Sequence, residues 1–359
     1  MKRRYVFILV AGAVVLVLAA AAMVASLGRR PSARYQVTFL PSLGGFRTDP
    51  HAINNRGQVI GVAEAGGGRS YIFLWDKEHG LQNLGRFDDP VHVCRLYIND
   101  EGHVAGTITD PNTRRNAFLW DLSTGKRMLG TLGGPHSIAT GLNNKDQVIG
   151  EAETSIRYRH GFVWDASGGM RDLGTFGGPS SIALGINDAS QIVGMTETAE
   201  RRCHIVVWDP VDGTIDLGPA GSGPYLCEIN NRGLVIRRLG TVTGKTYFMT
   251  WTKEAGSKQL SFVAVDSGMP CGLNDAGQFL ITAKPTMMKV FGRILRRRFQ
   301  CYLWDPNEGA VSLREELPIQ GIQHLTLTDL NNQGMITGML RTEDSSSIRA
   351  VVIEPVVSR

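Results

Sequence analysis

The chain has 359 residues, of which 42% are apolar and 20% charged, with 43 glycines and 15 prolines. This composition excludes an intrinsically disordered chain, a collagen and a membrane protein with several spans. Five cysteines are too few for a disulfide-dense scaffold. The formal net charge is +5, but the six basic residues of segment 1–34, which holds no acid, leave the remainder at −1. A nucleic-acid-binding protein is therefore not expected.

The first 34 residues have the pattern of a targeting segment. Residues 1–4 form a basic start, residues 5–27 are almost continuously apolar or small, and residues 28–34 form a linker. As a helix, the apolar stretch is about 34 Å long, enough to cross a bilayer core. We expect a signal anchor, or a signal peptide cleaved at the small residues Ala20-Ala21-Ala22 or Val24-Ala25-Ser26. Either signal would export residues 35–359. A single-pass anchor would hold them at the cell envelope, on the periplasmic or extracellular side, whereas a cleaved signal peptide would release them as a secreted protein.

A repeat of about 44 residues begins after this segment. An Ile/Leu-Asn pair stands 21 residues before each of the first five tryptophans. A period near 44 with a recurrent Trp-Asp pair is typical of a β-propeller blade, so each unit predicts four strands, A to D. The turn between A and B, such as Asn54–Gly57, uses residues that tolerate positive φ. The tryptophans are Trp75, Trp120, Trp164, Trp208, Trp251 and Trp304.

The two ends of the chain predict how the ring closes. Seven Ile/Leu-Asn pairs predict seven blades, but the chain ends at Arg359, before a strand D of the seventh unit. Residues 35–40 match the strand-D pattern and supply that strand. The prediction is an all-β fold over residues 35–359: a single seven-bladed propeller of four-stranded blades, closed by the N-terminal strand. No helix is expected beyond the N-terminal one.

Several segments resemble a known repeat. Leu129–Asn143, Gln147–Gly150, His160–Trp164 and Leu173–Asn187 are similar to the HAF repeat of bacterial extracellular repeat proteins. The resemblance is strong in units two to four and fades in units five to seven, and His-Ala-Phe itself is kept only in part, as in His160-Gly-Phe. It implies export and a propeller-like fold. It implies no assigned activity and supplies no catalytic residues.

Four residues form the first candidate site. Arg47, His92, His136 and His324 each stand seven residues before the strand-A asparagine, in four units that are neighbours around the ring. The connection from strand D to strand A is expected at the channel mouth, where these side chains suit an anion or a polar ligand. No acidic or cysteine residue shares the register, so no metal is expected. The alternative is a set of exposed loop residues without a ligand.

A basic segment in unit six forms the second candidate site. Nine inserted residues between strands B and C bring basic side chains together with methionine, valine, phenylalanine, isoleucine and leucine, without an acid. Such a mixture suits an anionic lipid surface or an acidic envelope polymer. A protein partner and an ordinary solvated loop are the alternatives. The basic residues are Lys284, Lys289, Arg293, Arg296, Arg297 and Arg298.

The remaining motifs favour binding over catalysis. No trustworthy nucleophile-base order, Gly-rich phosphate loop, calcium loop or recurring carboxylate pair occurs, and no cofactor is implied. The five cysteines contain no CxxC and are expected mostly as buried small hydrophobes. The predicted function is a non-catalytic binding or interaction module at the cell envelope, held to the membrane by its N-terminal helix. The alternative is a propeller enzyme, a hydrolase or lyase, acting on an envelope or extracellular glycan.

Overall fold

In the residues that it describes, the computed structural model has thirty strands and one short helix, α1 (Leu313–Glu316). It describes residues 34–85, 95–221, 226–240, 246–260, 269–283, 287–290, 293–296, 300–345 and 347–356. The strands are β1 (Tyr35–Phe39), β2 (Gly44–Ile53), β3 (Val59–Ala65), β4 (Arg69–Asp76), β5 (Gly80–Gly85), β6 (Tyr97–Ile98), β7 (Val104–Thr109), β8 (Arg115–Asp121), β9 (Gly125–Met128), β10 (Gly133–Leu142), β11 (Val148–Thr154), β12 (Arg159–Asp165), β13 (Gly169–Asp172), β14 (Gly177–Ile186), β15 (Ile192–Thr198), β16 (Cys203–Asp209), β17 (Gly213–Pro219), β18 (Cys227–Ile229), β19 (Val235–Gly240), β20 (Thr246–Thr252), β21 (Gly256–Gln259), β22 (Met269–Leu273), β23 (Phe279–Ala283), β24 (Met287–Val290), β25 (Arg293–Arg296), β26 (Gln300–Asp305), β27 (Gly309–Ser312), β28 (Ile322–Leu330), β29 (Ile336–Thr342) and β30 (Arg349–Pro355).

Seven four-stranded antiparallel sheets form the blades of a propeller, as the repeat predicts. Blades 1 to 5 are β2–β5, β6–β9, β10–β13, β14–β17 and β18–β21, in chain order. Blade 6 is β22, β23, β26 and β27, and blade 7 is β28, β29, β30 and β1. The first strand of each blade, strand A, contacts the first strands of both neighbours. The seven A strands therefore surround the central axis, and the D strands lie outside.

The N-terminal strand closes the ring, which confirms the prediction from the chain ends. β1 pairs antiparallel with β30, with Tyr35 opposite Pro355 and Phe39 opposite Val351. Leu40 continues the ladder by donating its backbone N–H to the carbonyl of Ala350 at 2.9 Å. Without this strand, β30 would expose unpaired backbone groups at a sheet edge.

The insertion in blade 6 is a hairpin of its own. β24 and β25 pair from Met287 opposite Arg296 to Val290 opposite Arg293, between strands β23 and β26. Its position between strands B and C is as predicted. The expectation that no further helix occurs is wrong: α1 follows strand D of blade 6. Leu313 is fully buried and Leu317 is 6% exposed, so one helical turn places both in the core.

The repeated tryptophans pack between neighbouring blades. Trp75 of blade 1 contacts a cluster that includes Ala350 and Val352 of blade 7. Trp164 of blade 3 packs with Ala105 and Ala117 of blade 2. One large ring at the same place in six units therefore joins the sheets into a continuous core, as the spacing indicates.

Close backbone approach explains two recurrent glycines. A Cβ on Gly150, in the Val-Ile-Gly motif of β11, would collide with the carbonyl oxygen of Ile138 and lie 2.8 Å from the Phe162 ring. A Cβ on Gly134 would lie 2.5 Å from the Cβ of Glu153. The second glycine of the Gly-Gly pair thus lets the start of strand A cross directly over strand B.

A closed ring of hydrogen bonds joins the seven A–B turns. In each turn the strand-A asparagine accepts backbone N–H groups of its own turn and donates its side-chain amide to the equivalent asparagine carbonyl of the next blade. Asn143 shows both contacts: Oδ1 accepts from Lys145 at 3.0 Å and Gln147 at 2.9 Å, and Nδ2 donates to Asn187 at 3.0 Å. The ring runs through Asn54, Asn99, Asn143, Asn187, Asn230, Asn274 and Asn331 and returns to Asn54.

The next residue of each turn forms a second ring. Its backbone N–H donates to the side-chain oxygen of its counterpart in the following blade, at 2.7–2.9 Å. Asparagine and aspartate alternate here, so amides meet carboxylates: Asp100 accepts from Asn55 at 2.9 Å and from Asn144 at 3.1 Å. The members are Asn55, Asp100, Asn144, Asp188, Asn231, Asp275 and Asn332.

We expect removal of β1 to disrupt the whole propeller. Deleting residues 35–43 leaves β30 at an open edge and takes Leu40, which is 3% exposed, out of the core between blades 7 and 1. Circular dichroism and size-exclusion chromatography should show aggregation or loss of a cooperative melt. A chain that begins at residue 34 is the control. Equal melting of the two chains would contradict the role of closure.

The first asparagine ring should contribute more to stability than the second. Asn143→Ala leaves a buried carbonyl and two turn N–H groups without partners, which should lower the free energy of unfolding by roughly 2–4 kcal/mol. Asn144→Ala, in the exposed second ring, should cost about 1 kcal/mol. Urea denaturation of both variants measures the difference. Equal losses would show that burial of the first ring is irrelevant.

Candidate functional site

The strand directions sort the loops onto two faces. Because neighbouring strands are antiparallel, the A–B and C–D turns lie on one face of the propeller, and the B–C turns lie on the other with the starts of the A strands. The two faces differ in the charged groups that they expose.

The face of the A–B and C–D turns, the acidic face, is rich in carboxylates. The aspartate of the repeated Trp-Asp pair caps the C–D turn in five blades: Oδ1 of Asp165, for example, accepts from the N–H groups of Ser167 at 3.0 Å and Gly168 at 2.7 Å. Hydrogen bonds from Ser167, followed by Arg171, lower the pKa of Asp165, so it stays ionised. The basic residues of these turns are Arg56, Lys77, Lys145, Arg232 and Lys253. The acids of these turns are Asp76, Glu78, Asp100, Glu101, Asp121, Asp146, Asp165, Asp188, Asp209, Asp212, Glu254, Asp275, Asp305 and Glu308.

The opposite face, the arginine face, is covered by exposed guanidinium groups. In the described B–C turns and starts of the A strands, only Glu200, Glu343 and Asp344 are exposed acids. Other acids there are buried or half-buried and lie under the arginines: Glu151 accepts from Arg159 at 3.2 Å, and Glu153 lies 3.6 Å from Arg157. The charged groups that reach the solvent there are therefore mostly guanidinium groups. The exposed arginines are Arg47, Arg69, Arg114, Arg115, Arg157, Arg159, Arg201, Arg202 and Arg349.

A cleft of about 170 Å³ opens on this face between blades 2 and 3. The backbone N–H of Arg115 donates to Nδ1 of His136 at 3.0 Å, which places the ring proton on Nε2. Glu153 is 9% exposed, and its Oε2 is buried without a hydrogen-bond partner. The lining residues are Thr113, Arg115, His136, Ile138, Glu151, Ala152, Glu153 and Arg159.

The predicted arc holds equivalent backbone positions, but each side chain binds its own neighbour. Arg47 pairs with Asp49 at 2.5 Å, and His324 contacts the hydroxyl of Thr326 at 2.9 Å. Burial, followed by the charge of Arg341, lowers the pKa of His324. Of the arc residues that the structure describes, Arg47, His136 and His324, only His136 lines the cleft, and His92 lies outside the described residues. A shared ligand for the arc stays a prediction.

The basic segment belongs to the arginine face through its position between strands B and C. Lys289 is on β24 and Arg293 and Arg296 are on β25, where the structure describes the backbone. Lys284, Arg297 and Arg298 lie outside the described residues, as does the N-terminal segment 1–33. Among the described residues, no helix is long and apolar enough to cross a membrane.

The inner strands hold a further charged cluster that the sequence analysis missed. Arg95 donates to the carbonyl of Thr328 at 3.0 Å. Oε1 of Glu228 accepts from the N–H of Gly272 at 3.1 Å, and Oδ2 of Asp329 accepts from that of Ile53 at 3.0 Å. Each carboxylate thus bridges to the inner strand of the next blade.

Burial controls the protonation of this cluster. It raises the pKa of Glu228 to about 7 and also raises that of Asp329, although Arg95 acts in the opposite direction on both. The cluster therefore changes its net charge near neutral pH. One signal could have revealed it: both acids stand two residues before a ring asparagine, where blades 3, 4 and 6 have Gly141, Gly185 and Gly272.

Two histidine-carboxylate pairs lie on the outer strands. His160 contacts Asp172 at 2.7 Å in blade 3, and His204 contacts Asp216 at 2.8 Å in blade 4. The nearby hydroxyl of Ser181 accepts from Gly161 and donates to the Gly174 carbonyl, so it is committed to the backbone. These pairs therefore tie strand C to strand D.

The thiols of the described chain are free cysteines rather than disulfides. Cys227 and Cys301 are buried, and Cys203 and Cys271 are partly buried. Burial raises the pKa of Cys301 to about 12. The buried Cys227 and Cys301 act as small apolar side chains, as expected. Among the described residues, no group of three or more His, Cys, Asp or Glu side chains could hold a metal ion.

Comparison with known proteins shows the fold. No protein-family model and no characterised protein matches the chain in sequence. A puromycin hydrolase structure superposes with a TM-score of 0.58 at 15% identity, over 88% of this chain and 55% of the other. Virginiamycin B lyase from Staphylococcus aureus gives 0.54 at 11% identity, over 90% and 100%.

A chain of the mitotic checkpoint complex gives a TM-score of 0.53 at 13% identity, over 90% of this chain and 95% of that one. The propeller fold is thus shared with two enzymes and with a component of a protein assembly. At such low identities the similarity shows the architecture alone, and the fold does not select a function.

The buried cluster of Arg95, Glu228 and Asp329 predicts that the stability of the protein depends on pH. Unfolded Glu228 ionises near 4.5, whereas the folded protein keeps the proton to about pH 7, so stability falls as the pH rises through this interval. Glu228→Gln keeps an acceptor for Gly272 and removes the titration. Its melting temperature relative to the parent should rise by on the order of 2–4 °C from about pH 5 to about pH 8. Glu78→Gln is the surface control, and a flat difference for Glu228→Gln would contradict the prediction.

Proposed function

We propose that this chain is a non-catalytic binding module of the cell envelope that captures an anionic polymer on its arginine face. The observation that carries the proposal is the separation of charge between the two faces. Exposed arginines cover one face above half-buried carboxylates, and ionised carboxylates dominate the other. Such an arrangement attracts polyanions to one side and repels them from the other. Since enzymes and binding proteins share this fold, the proposal rests on the charge distribution and not on the fold.

The start of the described chain supports a polymer rather than the cell's own membrane as the ligand. Arg34, the first described residue, precedes β1 and pairs with Glu308, in a C–D turn, at 2.9 Å, so it lies at the acidic face. An anchor at residues 5–27 would turn that face towards the bilayer. The arginine face and the hairpin of β24 and β25 would then point away from it.

Membership in the HAF-repeat family is part of the proposal. Its support comes from the structural roles of the motifs as well as from their sequence. The Gly-Gly pair and the Val-Ile-Gly motif that carry the resemblance stand where Gly134 and Gly150 allow close strand crossing. The histidine of the partial His-Ala-Phe motif, His160, binds Asp172. The motifs thus have structural roles within the blade, and the residues of the turns determine which ligand is bound.

Charge reversal on one face tests the proposal. Arg114→Glu, Arg115→Glu and Arg202→Glu together should weaken binding of the full-length chain to polygalacturonate by at least about tenfold, because exposed guanidinium groups supply the attraction. The matched control reverses Arg56, Lys145 and Arg232, which changes the net charge equally on the acidic face. Fluorescence titration measures both affinities.

Salt provides the second readout. Binding by the parent should weaken as ionic strength rises, because exposed charges are screened over about 8–10 Å at ordinary salt. The melting temperatures of the parent and both triple variants should agree within a few degrees. Equal loss of affinity in the two triple variants, or no binding by the parent, would contradict the proposal.

A further inference from the structure

We propose that the cleft between blades 2 and 3 recognises a single acidic sugar residue of the captured polymer through both its carboxylate and its hydroxyl groups. This inference rests on the proposed function and adds the substrate class. Its basis is a set of side chains that combines anion-binding donors with strong acceptors in one small space. Five residues carry it: Arg115, His136, Glu151, Glu153 and Arg159.

The donors of the cleft suit a carboxylate. A guanidinium group has five N–H donors in a planar fork, and Glu151 takes one from Arg159 at 3.2 Å. Arg115 is exposed at the opposite wall, in blade 2. His136 adds an Nε2–H donor, because its Nδ1 already accepts from the backbone of Arg115. Two guanidinium groups and an imidazole N–H can therefore surround one carboxylate.

The acceptors of the cleft require a different partner. Glu153 is 9% exposed, and its Oε2 has no hydrogen-bond partner; the nearest cation, Arg157, is 3.6 Å away. A buried carboxylate oxygen without a donor is costly, so an occupant that supplies a donor is favoured. Glu151 provides a second carboxylate beside it. A simple anion cannot satisfy these oxygens, whereas a hydroxyl group can.

The charge around the cleft and the volume of the cleft favour a sugar over other molecules that carry hydrogen-bond donors. An ammonium group would bring more positive charge to a face already covered with arginines, so neutral hydroxyl groups are the better donors. The cleft volume of about 170 Å³ is below the about 300–1,000 Å³ of pockets that enclose a whole drug-sized ligand. It therefore suits one residue of a chain whose neighbouring residues reach the arginines of adjacent turns.

The neighbouring blades lack this combination. At the places of His136, Glu151 and Arg159, blade 4 has Ser180, Met195 and Cys203 in the same strand registers. Blade 1 has Arg47, Val62 and Ser70. Blades 1 and 4 thus carry different side chains on equivalent backbone. Of the three blades compared, blade 3 alone has a histidine, a glutamate and an arginine at these three described positions.

Substitution by the residues of blade 4 tests the cleft without disturbing the fold. The double variant His136→Ser, Glu151→Met uses side chains that blade 4 already accommodates at these registers, and Glu153→Gln is nearly isosteric. The full-length protein is titrated with tetragalacturonate, neutral maltotetraose and a tetraglutamate peptide. The parent should bind tetragalacturonate at least about tenfold more tightly than either other probe. Both variants should lose this preference and keep the parent's melting temperature within a few degrees.

The outcomes separate the two proposals. If both variants keep the full preference while the triple arginine variant loses affinity for polygalacturonate, the arginine face binds polyanions and the cleft inference is overturned. A parent that prefers tetraglutamate, or does not distinguish the three probes, also overturns it. If the triple arginine variant retains affinity for polygalacturonate, the proposed function fails first. A variant that does not fold is replaced by Glu153→Gln alone, judged by the same preference.

Discussion

The structure depends on the hydrogen bonds that pass from one A–B turn to the next. Each strand-A asparagine holds its own turn with Oδ1 and its neighbour with Nδ2, so local turn geometry and ring closure use the same side chain. Asn331 completes the circuit by donating to Asn54, although 277 residues separate them in sequence. Because every member is buried, no blade can tilt without leaving a polar group unpaired. The N-terminal strand β1 closes the ring of blades a second time, at the outer edge of blade 7.

This rigid frame leaves the turns available for charge. Antiparallel strands divide the turns between two faces, so a residue's place within the repeat decides the side on which its charge lies. The Trp-Asp pair puts a turn-capping carboxylate such as Asp165 on one face. The B–C turns end in arginines such as Arg115 and Arg159 on the other face. Residues 35–359 have a formal net charge of only −1, but their charged groups are distributed unequally between the two faces, and the proposed function depends on this distribution.

Specific sites arise where the repeat departs from its own pattern. Glu228 and Asp329 replace small residues next to the asparagine ring and introduce carboxylates that bridge to the next blade. His136 and Glu151 replace the serine and methionine of blade 4 and convert an ordinary seam between blades into the cleft. In both cases equivalent backbone carries a new side chain, so recognition is added at little cost to the fold. Oε2 of Glu153 is buried without a hydrogen-bond partner, and the proposed occupant of the cleft would supply a donor to it.

The sequence by itself determined the blade count, the strand order and the closure by residues 35–40, because a period of 44 and the missing last strand leave one way to complete the ring. It did not predict α1, since burial of Leu313 and Leu317 appears only when blade 7 packs beside them. Nor did it reveal the arginine face or the cleft. Their charges are spread one turn at a time over hundreds of residues, and only the circular arrangement of the blades brings them together. Contacts such as that between Arg115 and His136 cross two blades, and tertiary packing alone decides them.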